Sequence, residues 1–301
     1  MGVSFSFFSI IFYLSGGIVT AKLMKSIFIS IILMISLSLR GQSLQFLWAT
    51  PPVLKTPESV YYMHSIAKIF VSNVNGNPSA KDGNGFISEL TDKGKIKKLK
   101  WATGLNAPKG MAVVGNYLYV TDIDELVSID LRNPNNQKRY AAPGAIFLND
   151  AVADKDGNIY ISDTELDALF YFNGNKIILW KKTPLFNSAN GLAMENGVIL
   201  LGVKGYLLKI YPQTKAIQKF IPHKGIIDGL IPLGKGKYLV SNWAGKIQIL
   251  ERGKPAILLS NTTNKHINAA DMGYNKSSHI VFIPTFYNNR VVAKKLIYTK
   301  Y

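Results

Sequence analysis

The chain has 301 residues, of which 48% are hydrophobic, 11% aromatic and only 18% charged, so it holds enough apolar material for a large core and is not a disordered polypeptide. Its net charge of +17 raises the question of an acidic partner, but the basic residues are dispersed. The densest group, Lys95, Lys97, Lys98 and Lys100, alternates like the wet face of an outer strand, and no nucleic-acid-binding motif accompanies it. The surplus reads as solvated decoration, with no nucleic acid expected as partner. There is no cysteine, which excludes disulfides and a lipid-bearing N-terminal cysteine.

In chain order, residues 1–43 read as a targeting segment. Met24 and Lys25 precede an apolar run over 26–39, and Gly41-Gln42-Ser43 puts small residues where a signal peptidase inspects the chain, so cleavage is expected after Ser43. A second apolar run over 3–18 is consistent with Met24 being the true start. The 14-residue run over 26–39 is shorter than the roughly 20 residues a membrane-spanning helix needs. The expected product is therefore an exported protein, periplasmic or secreted, with no stable membrane span after cleavage. Its mature domain is 44–301, expected as a monomer. Removal of 1–43 takes away Lys22, Lys25 and Arg40 and leaves a net charge of +14.

From residue 57 onward the chain repeats itself. The phrases PESVYY, PKGMAV, LNDAVA, ANGLAM, IDGLIP and AADMGY place a polar residue one step before a short apolar strand at Glu58, Lys109, Asn149, Asn190, Asp228 and, displaced by one residue, Asp271. The intervals are 51, 40, 41, 38 and 43 residues. Self-similarity at about 40 residues marks a propeller or another repeat array. In a propeller the residue entering each blade's innermost strand faces the central channel. Glu58, Asn149, Asn190 and Asp228 bring carboxylate or amide oxygens to that position, the hard ligands preferred by calcium or magnesium.

Each repeat reads as four short strands. In the third, DAVAD, IYISD, ALFYFN and KIILWKK are separated by the turns Lys155-Asp156-Gly157-Asn158 and Gly174-Asn175, and alternating apolar residues bounded by such turns are the strongest hairpin signal a sequence carries. The sixth repeat runs out of chain before a fourth strand. LQFLWATPP, near the mature N-terminus, resembles KKLKWATGL and repeats Trp101-Ala102-Thr103 as Trp48-Ala49-Thr50. Pairing that N-terminal strand into the last blade would close the ring and remove an exposed sheet edge. The expected fold is all-β, a six-bladed β-propeller closed by an N-terminal strand.

The phrases PESVYYMHSIAKIFVSNVNG, LNDAVADKDGNIYISD, SANGLAMENGVIL and IDGLIPLGKGKYLVSNWAGKI resemble the senescence marker protein, gluconolactonase and luciferin-regenerating enzyme family, and more distantly diisopropylfluorophosphatase and paraoxonase. The resemblance spans about residues 50 to 297. It implies a six-bladed propeller with a divalent cation, calcium in the first place, in its channel and hydrolysis of lactones or related esters. It also implies Glu58, Asn149, Asn190 and Asp228 as metal ligands. Two carboxylates would neutralise a divalent ion, two amides would add oxygens without excess charge, and positions would remain for water and substrate. Such a cation polarises a lactone carbonyl and lowers the pKa of water. Asp228 is the candidate general base, with Glu58 the second.

Asn149, Lys109 and Phe147 are the candidate substrate-binding residues. Sugar-lactone hydrolases of the family carry an arginine where this chain has Phe147, two residues before Asn149, which argues against gluconolactone. Lys109 either meets an anionic substrate or oxyanion at the channel mouth or points to solvent. Asp150 and Asp271 read equally as groups orienting the asparagines, ligands at a second site, or turn caps.

Other motifs mislead. Asp154 to Asn158 imitates a helix-loop-helix calcium loop, but its glycine stands at the fourth place and strands flank it, so a hairpin turn is expected. His64, His223, His266 and His279 share no metal-ligand spacing, and no Gly-x-Ser-x-Gly elbow occurs. The principal reading is an exported metal-dependent hydrolase of a lactone or ester substrate; the alternative is a non-catalytic propeller of the NHL-like type that binds a ligand or protein on its rim.

Overall fold

The alternating apolar segments become, in the computed structural model, six four-stranded antiparallel sheets. The structure describes residues 41–298. Most of the segment read as a targeting signal lies outside the described residues. Blade three runs in chain order through Leu148–Ala153, Ile159–Asp163, Ala168–Phe172 and Ile177–Lys182. Asp154 Oδ1 accepts from the amides of Asp156 and Asn158 at 2.9 Å each, so the apparent calcium loop is a hairpin turn. Blades one, two, four and five repeat the same order.

Burial explains the composition of each strand. Second strands lie between two others and between two neighbouring blades, and Ile159–Asp163 is buried along its whole length. Fourth strands form the outer edge, and in Ile177–Lys182 only Ile177 is fully buried. Apolar layers fill every gap between blades. Phe70 and Ile87 of blade one meet Met111 and Leu118 of blade two. Around the ring, Phe282 and Val291 of blade six meet Val60 and Ile69 of blade one. The ring is therefore closed by packing as well as by pairing.

The N-terminal strand completes blade six. Gln42–Ala49 pairs antiparallel with Val291–Tyr298, from Gln42 opposite Tyr298 to Ala49 opposite Val292. Thr50 continues the contact: its Oγ1 accepts from the Val291 amide at 3.1 Å, and its carbonyl accepts from Arg290 Nη1 at 2.6 Å. The Trp48 ring lies 5.8 Å from Phe282 in the layer between blades six and one. Pairing starts at Gln42, so Gln42 and Ser43, assigned in sequence to the targeting segment, are rungs of this sheet. Among the described residues no helix is long and apolar enough to cross a membrane.

Candidate functional site

The innermost strands of blades one to three carry an irregularity at residues that line a cavity. In blade one, Pro57 pairs with Asn73 but Val60 pairs with Val71, so Glu58 and Ser59 form a bulge. Lys109 and Gly110 bulge in the same way between Pro108 and Met111, and Asn149 and Asp150 between Leu148 and Ala151. An extra residue in one strand breaks the pleat and redirects side chains, a device that recurs beside active sites.

Six residues singled out in sequence, Glu58, Lys109, Phe147, Asn149, Asn190 and Asp228, line one cavity of about 580 Å³. Asn190 Nδ2 donates to Asp228 Oδ1 at 3.4 Å. Asn149 Nδ2 donates to Thr164 Oγ1 at 3.1 Å, and that hydroxyl donates onward to the Ala189 carbonyl at 2.7 Å. Lys109 does not point to solvent. It is 1% exposed, its Nζ donates to the carbonyls of Pro78 and Ala107 at 3.0 and 3.1 Å, and it lies 4.1 Å from the centre of the Phe147 ring.

The blade-six position shows the one-residue displacement read from the sequence phrase. The Ala270 amide donates to the Pro284 carbonyl, matching the bonds from Asn190 to Gly202 and from Asp228 to Ser241 in blades four and five. Ala270 is thus the blade-six entrance, and Asp271 stands one step further in, where blade three has Asp150. Asp150 is buried and Asp271 is half-buried. Asp271 Oδ2 accepts from Ser59 Oγ at 2.5 Å; Asp150 Oδ2 accepts from the Leu192 amide at 2.6 Å and joins blade three to blade four.

Several buried carboxylates with few countercharges raise one another's pKa. Burial pushes Glu58 well above the usual carboxylate range, and the charges of Asp228 and Asp271 add to the effect, against the opposing pull of Lys109. Burial, then Asp271, lifts Asp228 to about 8, opposed by the Asn190 amide. Asp271 rises to about 7 through burial, opposed by the Ser59 hydroxyl. Lys109 is drawn down to about 8 by the same loss of solvent, although Glu58 favours its charge.

This is an environment short of positive charge. Glu58 Oε2 and Asn190 Oδ1 are buried without a hydrogen-bond partner, and both belong to residues on the cavity wall. Orphaned hard oxygens beside carboxylates whose pKa is raised are what a divalent oxygen-ligated cation relieves, so the donor set fits such an ion. Among the described residues no group of three or more histidine, aspartate or glutamate side chains forms a metal-binding cluster, so a cation in the cavity must draw on the asparagine oxygens.

Two supporting belts escaped the sequence reading. At the end of the second strand, Asp122 accepts from the amides of Asn106 and Ala107, and Asp163 from those of Ile146 and Phe147. Asn73 and Asn242 occupy the same place in blades one and five and bind Lys55 N and Ile226 O. One residue earlier stands a hydroxyl. Ser72, Ser162 and Ser241 accept from the amides of Ser59, Asp150 and Gly229, and Thr121 donates to the Asn149 carbonyl at 2.5 Å. The signal was present as the recurring phrases VSN, VTD, ISD and VSN at the ends of the second strands.

No family model and no curated protein matches the chain. Solved structures do. A gluconolactonase from Xanthomonas campestris is similar at TM-score 0.60 and 12% identity over 84% of this chain and 87% of that one. A streptogramin B lyase aligns at TM-score 0.59 and 11% identity, covering 85% and 98%. The extracellular domain of a protein described as a hybrid two-component system from B. thetaiotaomicron aligns at 0.56 and 14%, covering 79% of this chain; the chain spans 32% of that protein. These likenesses establish the propeller fold alone. The gluconolactonase is thus a neighbour in architecture, while the chemistry must be argued from the cavity.

Proposed function

We propose that this propeller is a metal-dependent hydrolase of lactones or related esters. Glu58, Asn149, Asn190 and Asp228 would hold a divalent cation, calcium in the first place. The observation that supports this most is the pair of orphaned buried oxygens, Glu58 Oε2 and Asn190 Oδ1, in a cavity that also holds Asn149 and Asp228. When bound, the cation supplies Lewis-acid polarisation of the carbonyl and lowers the pKa of water.

The chain's own residues do the remaining work. Asp228, with Oδ1 turned to the Asn190 amide, accepts the proton of the attacking water at its carboxylate, and Glu58 is the second acceptor. Lys109 is pinned by two carbonyls and the Phe147 ring and leaves one N–H for negative charge developing on the substrate oxygen. Where the sugar-lactone pattern has an arginine, Phe147 offers no donor to a polyol. The function of residues 1–43 as an export leader is part of the same proposal, which assigns the reaction to the periplasm or the outside of the cell.

The test is a panel of lactones and aryl esters run with added calcium, with chelator and on Asp228→Ala. The expected outcome is hydrolysis that chelator abolishes, calcium restores, and the variant lowers by about a hundredfold or more. Hydrolysis indifferent to both chelator and variant would sink the mechanism.

A further inference from the structure

Blades five and six bring a group of apolar side chains to the cavity. Trp243, Phe286 and Tyr287 all line it, together with Ile226 and Ala244. Their rings meet edge to face: Trp243 to Phe286 at 5.7 Å and 71°, Trp243 to Tyr287 at 5.8 Å and 79°, Phe286 to Tyr287 at 4.9 Å and 87°. Trp243 is 44% and Tyr287 64% exposed, so this aromatic surface is held in water instead of contributing to a core.

The bracket is rigid and strained. Phe286 has φ +43°, in the left-handed region that a bulky aromatic residue rarely adopts, and such strain persists only where the surroundings enforce it. Phe286 itself is buried against Val74, Ala107 and Ile123, which anchors the loop on blades one and two. Three residues on, Asn289 Oδ1 accepts from the Thr56 amide at 2.9 Å. The Trp243 loop is held as firmly: its carbonyl accepts from Asn268 Nδ2 at 2.9 Å, and Asn242 Oδ1 accepts from the Ala244 amide at 3.0 Å. Strain and exposed aromatic area both cost stability. Neither is needed to close the ring, because the layers between blades do that without them.

We infer that Trp243, Phe286 and Tyr287 form a specificity-determining bracket for an apolar alkyl or aryl substituent, so that the substrate is a hydrophobic lactone or ester and not a sugar lactone. Phe147 lines the same cavity, with Glu58 and Asp228 among its other lining residues. The reaction rests on the hydrolase reading above; the preference for an apolar substituent does not, because it is a property of binding.

The test uses lactams, which resist hydrolysis. Binding of a δ-lactam carrying a hexyl chain, of the unsubstituted ring and of a polyhydroxylated ring is measured by calorimetry on the full chain and on Trp243→Ala/Tyr287→Ala. Tyr287→Ser serves as the milder variant at the most exposed position. The hexyl lactam is expected to bind about tenfold or more tightly than either other ring, and this discrimination is expected to shrink to about twofold in the double variant. Equal affinities, preference for the polyol, absence of lactam binding, or discrimination that survives both variants would each overturn the inference. Discrimination in the native protein without turnover of any lactone would leave the apolar binding preference standing and remove the hydrolase reading.

Discussion

At the scale of single residues, the site is governed by the cost of removing charge from water. A carboxylate whose pKa is raised by burial keeps a proton that the unfolded chain has already released, so the native state binds more protons above the ordinary carboxylate pKa and stability falls as pH rises. For Asp228, raised to about 8, and Asp271, raised to about 7, the window runs from about pH 4 up to those values. Each protonated group costs about 1.4 kcal/mol per pH unit across it. Chelator-treated protein should therefore lose Tm steadily from pH 5 to pH 8. Calcium should raise Tm more at pH 8 than at pH 5, because a cation in the cavity displaces those protons. Differential scanning calorimetry at both pH values decides it, and a Tm that climbs with pH in chelator would contradict the reading.

Asp163 illustrates the other residue-scale effect. Its carboxylate accepts from the amides of Ile146, Phe147, Glu165 and Leu166. Asp163→Ala would strand several of these donors in the interior, with an expected loss of about 3 kcal/mol in urea unfolding; Asp163→Asn should recover part of it by keeping one acceptor oxygen.

At the scale of elements, the strand entrances matter more than the strands. Bulges at Glu58–Ser59, Lys109–Gly110 and Asn149–Asp150 turn a period-2 ladder into a source of cavity-lining side chains. The small residues beside them let neighbouring blades approach. A Cβ on Gly191 would run into the carbonyl oxygen of Asp228 in the next blade. Gly191→Ala should accordingly push the entrance of blade five outward, costing about 2 kcal/mol and weakening calcium binding by about tenfold. Calcium titration beside an unfolding curve separates the two effects. Unchanged affinity in a destabilised variant would show that the entrance has not moved.

At the scale of the whole molecule, the ring depends on its first strand. Gln42–Ala49 covers the edge of Val291–Tyr298, and Trp48 belongs to the packing between blades six and one. Deleting residues 42–49 should expose that edge and lower Tm by ten degrees or more, by about the amount several kcal/mol represents in a domain of this size, with increased light scattering. A synthetic peptide of the deleted segment should restore part of the loss, and an unchanged Tm would refute the closure.

The repeat was legible in the chain because a polar residue before an apolar strand recurs at about 40-residue intervals, and hairpin turns such as Lys155-Asp156-Gly157-Asn158 delimit the strands locally. The closing strand was legible for the same reason, through the repeated Trp-Ala-Thr of 48–50 and 101–103. Residue types along one strand carry that much, since backbone periodicity is a local property. The bulges, the burial of Lys109 and the meeting of Trp243 with Phe286 and Tyr287 were decided only by the tertiary structure. Each depends on how residues from different blades share one axis, and neither desolvation nor a contact across the ring is written in the order of neighbours along the chain.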